Sequence, residues 1–182
     1  MTTSTAAVTT GTWTLDPAHT EIGFTVRHLM SKVRGKFETF EGAVVTSDDV
    51  TASTVTAKID LNSINTGSAD RDAHLRSGDF FSVEEYPSMT FASTGVLQKD
   101  ENEFVLTGDL TIKSVTKPVE LEVEFLGEGK DPWGGTRVGV EARGEISRKE
   151  FGIDFNIPLE GDKVMIGDKI KIQIVAEAVL QA

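Results

Sequence analysis

Six stretches of this chain alternate apolar and polar residues with a period of two, and that pattern limits the fold more than any other feature. Ile22, Phe24 and Val26 alternate with Glu21, Thr25 and Arg27. Val55, Ala57, Ile59 and Leu61 alternate with Thr54, Thr56, Lys58 and Asp60. The pattern returns at Phe104, Leu106, Leu110 and Ile112, and again at Val119, Leu121, Val123 and Phe125. It returns twice more, at Val138, Val140, Ala142 and Ile146, and at Ile170, Ile172, Ile174 and Ala176. Each stretch reads as a strand with one dry face and one wet face. Two further strands are expected at 36–46 and 88–97, which brings the count to about eight.

No amphipathic helix in the sequence is long enough to cover a sheet face. A sheet with one dry face must then pack on a second sheet or close on itself. Turn chemistry at Lys99-Asp100-Glu101-Asn102, Thr116-Lys117-Pro118 and Asp131-Pro132-Trp133-Gly134-Gly135 links the strands as hairpins. Long, evenly patterned, hairpin-linked strands favour closure. The expected fold is all-β, a closed eight-stranded antiparallel barrel. The 182 residues fit one domain over 11–182, preceded by a flexible Ser/Thr/Ala tail over 1–10. Two connections exceed what hairpins need. One spans 62–87, with a short helix expected at 71–79. The other spans 149–168 and carries Phe151, Ile153, Phe155, Ile157 and Leu159. Such segments act as binding lids or simply plug the barrel ends.

Charge narrows the partners. The net charge is -11, whereas nucleic-acid binding needs clustered Lys and Arg to displace counterions. An anionic membrane surface is expected to repel such a chain. No stretch approaches the length of a membrane span. The start shows neither a basic leader nor an apolar run of signal-peptide length, so a cytoplasmic location is expected, or a periplasmic or extracellular one if a leader has been removed. A homodimer is compatible with the sequence.

Enzyme signals are poor. There are no cysteines, and His19, His28 and His74 lack metal-ligand spacing. There is no nucleophile elbow, phosphate loop or dinucleotide fingerprint. Glu120, Glu122 and Glu124 form a solvated stripe on one wet face. No catalytic residue, metal or cofactor is expected.

An eight-stranded barrel is just wide enough to be filled by side chains or to hold one slim ligand. Ala57, Gly108, Ala142, Gly144, Ala176 and Ala178 fall in the inward phase and leave space. Alternation alone leaves both outcomes open, with the balance towards a filled core. A cavity, if present, has apolar walls and takes an apolar ligand.

Several ordered motifs then become recognisable. They are Trp13-Thr-Leu-Asp-Pro-Ala-His19, Phe24-Thr-Val-Arg-His28-Leu, Gly35-Lys-Phe37 with Phe40-Glu-Gly42, and Ser63-Ile-Asn-Thr-Gly67. The most telling is Arg71-Asp72-Ala-His74-Leu75-Arg76-Ser-Gly-Asp79-Phe80-Phe81, followed by Tyr86-Pro87 and Thr90-Phe91. Gly108-Asp-Leu-Thr-Ile112, Val115-Thr-Lys-Pro118 and Arg148-Lys-Glu-Phe151-Gly152 complete the set. On these residues the chain resembles the YceI-like family of bacterial polyisoprenoid-binding proteins. The resemblance implies a lipocalin-like barrel with a ligand chain in its lumen, and binding or transport rather than turnover. It implies as partner a long isoprenoid lipid, such as a polyisoprenoid or an isoprenoid quinone. Ser114 stands where the family commonly has Gly, and Thr20 where it commonly has Ser.

Alternation and resemblance together give the expected ligand wall: Ile22, Phe24, Val26, His28, Phe37, Phe40, Phe80, Phe81, Phe91, Leu106, Leu110, Phe151 and Phe155. His28 continues the inward phase of Val26, and either meets a ligand head group or is satisfied by nearby backbone, the second being favoured. Arg71 is the other candidate head-group contact, because guanidinium suits phosphate-like oxygens. The competing reading of Arg71 and Asp72 is an Arg–Asp network that locks the loop; it is preferred for Asp72 and left open for Arg71. Trp13 and Trp133 are expected to close the barrel ends. The alternatives to a lipid carrier are a lipid-modifying enzyme using the same cavity and a filled structural barrel.

Overall fold

The computed structural model describes residues 8–159 and 165–181. Its strands are β1 (Gly11–Leu15), β2 (Glu21–His28), β3 (Ser31–Phe37), β4 (Phe40–Thr46), β5 (Thr54–Asp60) and β6 (Ile64–Asn65). After the helix α1 (Ala69–Arg76) come β7 (Ser88–Asp100), β8 (Glu103–Ile112), β9 (Val115–Lys130), β10 (Thr136–Ser147) and β11 (Ile166–Leu180). The ring β1-β4-β5-β7-β8-β9-β10-β11 closes through the pairing of β1 with β11. These are the eight strands of a closed antiparallel barrel, as the alternation predicts.

The remaining strands arise from bends. β11 pairs with β1 near Leu180 and with β2 from Val175 back to Ile166, so β1 and β2 act as one strand broken at a corner. Pro17 sits at that corner without an N–H to give the ladder, in a short 3-10 turn capped by the Asp16 side chain, which accepts from Ala18 N at 3.0 Å. The strand expected at 36–46 is broken at Glu38 and Thr39. Phe37 and Phe40 are both buried yet three residues apart, a spacing that a period-two strand cannot place on one face. β1 alternates too, Trp13 and Leu15 against Thr12 and Thr14, but over only five residues it does not stand out in the sequence.

Register defines two ends. Gly11, Thr46, Thr136 and Leu180 lie towards one end, here the Trp13 end. His28, Ser31, Ile112, Val115 and Ser147 lie towards the other, the His28 end. The short helix expected at 71–79 is present as α1, two to three residues earlier, because the Ser68 hydroxyl caps it by accepting from Arg71 N at 3.3 Å.

Trp13 is fully buried at its end. Its indole N–H donates to Thr46 Oγ1 at 3.0 Å and Thr9 O at 3.2 Å. Thr9 N and Oγ1 both donate to Glu128 at 2.7 Å. The tail expected over 1–10 falls outside the described residues for 1–7; Thr9 is tied to the barrel. Trp133 does not close an end. It is 79% exposed on the β9–β10 turn, with the Arg137 guanidinium 6.0 Å from its ring centre, because that hairpin projects beyond the wall.

The β8–β9 hairpin turns through Lys113 (φ 53°) and Ser114 (φ 71°). Two consecutive left-handed residues are what a tight two-residue hairpin requires, and neither is glycine.

Candidate functional site

The inner faces of the barrel do not meet. They enclose a cavity of about 460 Å³ that runs from Val8, Val50, Phe104 and Phe125 at the Trp13 end to His28, Arg71 and Phe155 at the other. A filled core, favoured on alternation alone, is therefore corrected. The space has two sources. Ala57, Ala142 and Ala176 line the lumen with minimal side chains. Elsewhere an aromatic ring lies back over a glycine on the neighbouring strand: Phe24 fills the place of a Gly35 side chain, and Phe91 that of a Gly108 side chain. The rings therefore lean along the wall and leave the axis open, which only glycine permits at those two positions.

Every residue of the expected wall lines this tunnel except Phe40: Ile22, Phe24, Val26, His28, Phe37, Phe80, Phe81, Phe91, Leu106, Leu110, Phe151 and Phe155. Phe40 starts a strand just after the Glu38-Thr39 break and is buried in the packed core instead. Other wall positions follow the same inward phase, among them Leu121, Val123, Ile172 and Ile174.

Both long connections converge on the His28 end. Phe80 from the first and Phe155 from the second stack edge to face, 5.2 Å between centroids. The His74 ring sits against both, at 5.1 and 5.0 Å. Its Nε2 lies 2.8 Å from Asp79 Oδ2. This cluster caps the tunnel with aromatic surface while its polar edge faces out.

Polar groups on the wall gather at that same end. His28, Thr66, Arg71, His74 and Arg148 all contribute to the lining there. At the Trp13 end Ser53 is the polar side chain on the wall among the described residues, its hydroxyl buried without a hydrogen-bond partner. Thr66 organises the first connection. Arg71 Nε donates to Thr66 Oγ1 at 2.7 Å and Arg71 Nη2 to Thr66 O at 2.8 Å. Buried Asp72 accepts from Thr66 N at 2.9 Å and Thr66 Oγ1 at 2.5 Å. The expected Arg–Asp network is present in a bridged form: both side chains meet at the Thr66 hydroxyl rather than touching each other. The Nη1 of Arg71 has no partner among the described residues, and the Arg71 side chain lines the tunnel.

His28 is half-buried, and its ring makes no hydrogen bond among the described residues. Among the described residues the favoured backbone-satisfied histidine is not seen; the end of β2 carries the ring to the mouth.

Arg148 stood in a recognised motif, but the sequence assigned it no role. It is 4% exposed and donates to four carbonyls: Gly167 O from Nε at 2.9 Å, Ile153 O and Phe155 O from Nη1 at 2.9 and 2.8 Å, and Ile166 O from Nη2 at 3.4 Å. Burial pushes its pKa down, while the charges of Asp168 and Asp154 act against that shift. Arg148 thereby pins the second connection to the start of β11 and closes part of the tunnel wall.

On the outer wall, the fold assembles Asp16, His19, Glu177, Arg137 and Asp131 from distant segments. Arg137 Nη1 is 2.6 Å from Asp16 Oδ2, and Arg137 Nε is 2.8 Å from Asp131 Oδ2. His19 Nδ1 lies 2.8 Å from Asp16 Oδ2 and 3.7 Å from Glu177 Oε2. The hydrogen bonds from Arg137 and then His19 hold the Asp16 carboxyl down to about 2. Asp16, His19 and Glu177 have the donor types of a cation site, but the Arg137 guanidinium already supplies the positive charge there, so the group reads as an ion-pair latch.

Residues 13–178 match the YceI-like domain family. Protein YceI of Escherichia coli O157:H7 is 44% identical over 137 residues, 74% of this chain and 71% of that protein. The crystal structure of a Campylobacter jejuni YceI protein matches with a TM-score of 0.72 at 32% identity, covering 92% of this chain and 97% of that one. A polyisoprenoid-binding domain from Saccharophagus degradans matches with a TM-score of 0.71 at 15% identity, covering 93% and 98%. At that identity the likeness concerns the fold.

Proposed function

The chain belongs to the YceI-like family, and from that premise we propose that it binds one long isoprenoid lipid, a polyisoprenoid or isoprenoid quinone, in the barrel lumen and carries, stores or sequesters it. The observation that carries this reading is an apolar tunnel whose polar wall groups, Ser53 apart, are gathered at one end. Its volume of about 460 Å³ lies within the ordinary range of ligand pockets. An isoprenoid tail satisfies such a wall without any charged contact. Each buried methylene contributes roughly 0.8 kcal/mol, so one five-carbon unit contributes about 3–4 kcal/mol before ordering costs.

The polarity of the wall orients the ligand. The tail runs towards Val8 and Phe125, and the head group stays at the mouth beside His28 and Arg71, whose Nη1 has no partner among the described residues. The Saccharophagus domain of the same fold, described as polyisoprenoid-binding, supports this reading. Native mass spectrometry of protein purified without detergent, followed by titration with a prenyl quinone, tests it. The expected result is one apolar molecule per chain, recovered or taken up. Protein that is empty as purified and takes up no prenyl quinone contradicts it.

A further inference from the structure

From Ile22 to Phe37 the chain carries Arg27, Lys32, Arg34 and Lys36 and no acidic residue, inside a protein of net charge -11. All four cations are exposed. They occupy the outward phase of the β2–β3 hairpin, opposite to Val26, His28 and Val33, which line the tunnel. Register sets Arg27 directly across from Lys32, a like-charge pairing that destabilises a hairpin unless something else offsets it. None of the four forms an ion pair among the described residues. The neighbouring strand β11 adds exposed Lys169 and Lys171 to the same face.

The tip of this hairpin is apolar. Leu29 is 46% exposed and Met30 fully so. Leu29 N donates to Met165 O at 2.8 Å, and Met165 N donates to Ile157 O at 3.0 Å, so these backbones lie in adjoining rows. Ile157 and Leu159 are also exposed, and Met165 lines the tunnel. An apolar knob flanked by cations that form no ion pair among the described residues therefore stands at the tunnel mouth.

We propose that this surface docks the mouth of the barrel onto an anionic lipid bilayer. Leu29 and Met30 enter the boundary between head groups and acyl chains, and Arg27, Lys32, Arg34 and Lys36 meet lipid phosphates. The repulsion expected from the net charge does not forbid this. β11 has 15 residues, which at about 3.3 Å each span about 50 Å. Charges are screened over roughly 8–10 Å at physiological salt, so acids at the Trp13 end such as Glu128 are out of range when the other end is docked. Docking in this way presents the tunnel to lipids and shields an apolar ligand from water during exchange.

The inference goes beyond lumen binding, and its test uses no isoprenoid, so either can fail alone. The full chain is sedimented with vesicles of phosphatidylcholine mixed equally with phosphatidylglycerol, and with phosphatidylcholine alone. Binding to the mixed vesicles, weakened by added salt, is expected, with little binding to phosphatidylcholine. Each cation apposed to the surface is worth about fivefold, so Lys32→Ala with Arg34→Ala weakens binding roughly twenty-five-fold. Met30→Ser weakens it further, whereas Lys99→Ala, towards the other end, leaves it unchanged. Circular dichroism confirms that each variant is folded. Failure to bind mixed vesicles at low salt, or full binding by the folded Lys32→Ala, Arg34→Ala variant, overturns the proposal.

Discussion

At the Trp13 end, a fully buried indole, its hydrogen bonds to Thr9 and Thr46, and continuous strand register hold the wall together. At the His28 end, two irregular connections meet over the tunnel, held by single polar side chains: Thr66 with Arg71 and Asp72, and Arg148 on four carbonyls. The first arrangement cannot loosen without unzipping strands. The second loosens when a few side-chain hydrogen bonds break, with the ring of strands intact. Regions of that kind open at lower free energy than core strands. The difference assigns stability to one end and ligand traffic to the other.

Trp13→Ala puts the largest strain on this comparison. It is expected to cost about 3–5 kcal/mol of stability in urea unfolding, with no change in preference among prenyl head groups. A large change in head-group preference breaks the division of labour. Arg148→Met removes the donor to the carbonyls of Gly167, Ile153 and Phe155, while Ile166 O keeps its bond from Asn156 Nδ2, and is expected to cost about 2–4 kcal/mol. Amide hydrogen exchange accelerates at 153–157 and 166–167 and stays slow at 12–14. Uniform acceleration along the barrel would show that the two ends are not independent.

Arg71→Ala acts on binding. A prenyl ligand with an oxygen-rich head loses roughly tenfold in affinity, the weight of one charge-assisted hydrogen bond, while a headless hydrocarbon of equal length loses little. Calorimetric titration of the two ligands separates these outcomes. Asp16 sharpens the account of the outer latch. Its folded pKa, about 2, lies below the ordinary 3.8, so its contribution is present above the unfolded value and lost as pH falls through the folded one. Wild type is therefore expected to exceed Asp16→Asn in melting temperature at neutral pH, the gap narrowing as pH drops from about 4 to 2. The smallest effect belongs to Ser114→Gly. Ser114 pays for its φ of 71°, and glycine at that turn position is expected to raise stability by about 0.5–1 kcal/mol.

The barrel was legible because period two survives in most strands, and the tunnel wall because Phe24, Leu106 and Leu110 share the inward phase. The bend at Glu38 was missed in the strand expected over 36–46, although the three-residue spacing of Phe37 and Phe40 marks it. An open lumen was not, since it depends on rings leaning over Gly35 and Gly108 across strands, a matter of rotamer and register. The role of Arg148 was hidden, although the residue stands in a recognised motif, because its partners are backbone carbonyls, which leave no mark on side-chain identity. The latch was hidden because Asp16 and Arg137 are 121 residues apart in sequence. The basic hairpin stood in plain sight, but total charge averages over distances that salt screens.

The central claim is that the tunnel itself holds the ligand, and filling it tests this most directly. Ala142 lines the lumen on β10, and Ala142→Phe projects a ring across it at a packing cost of about 1–3 kcal/mol. Fluorescence titration with a long-chain prenyl quinone is run on wild type and on the folded variant. One quinone per wild-type chain and at least tenfold weaker uptake by the variant is the predicted result. Equal uptake by both contradicts the account, because the ligand would then be sitting somewhere other than the lumen.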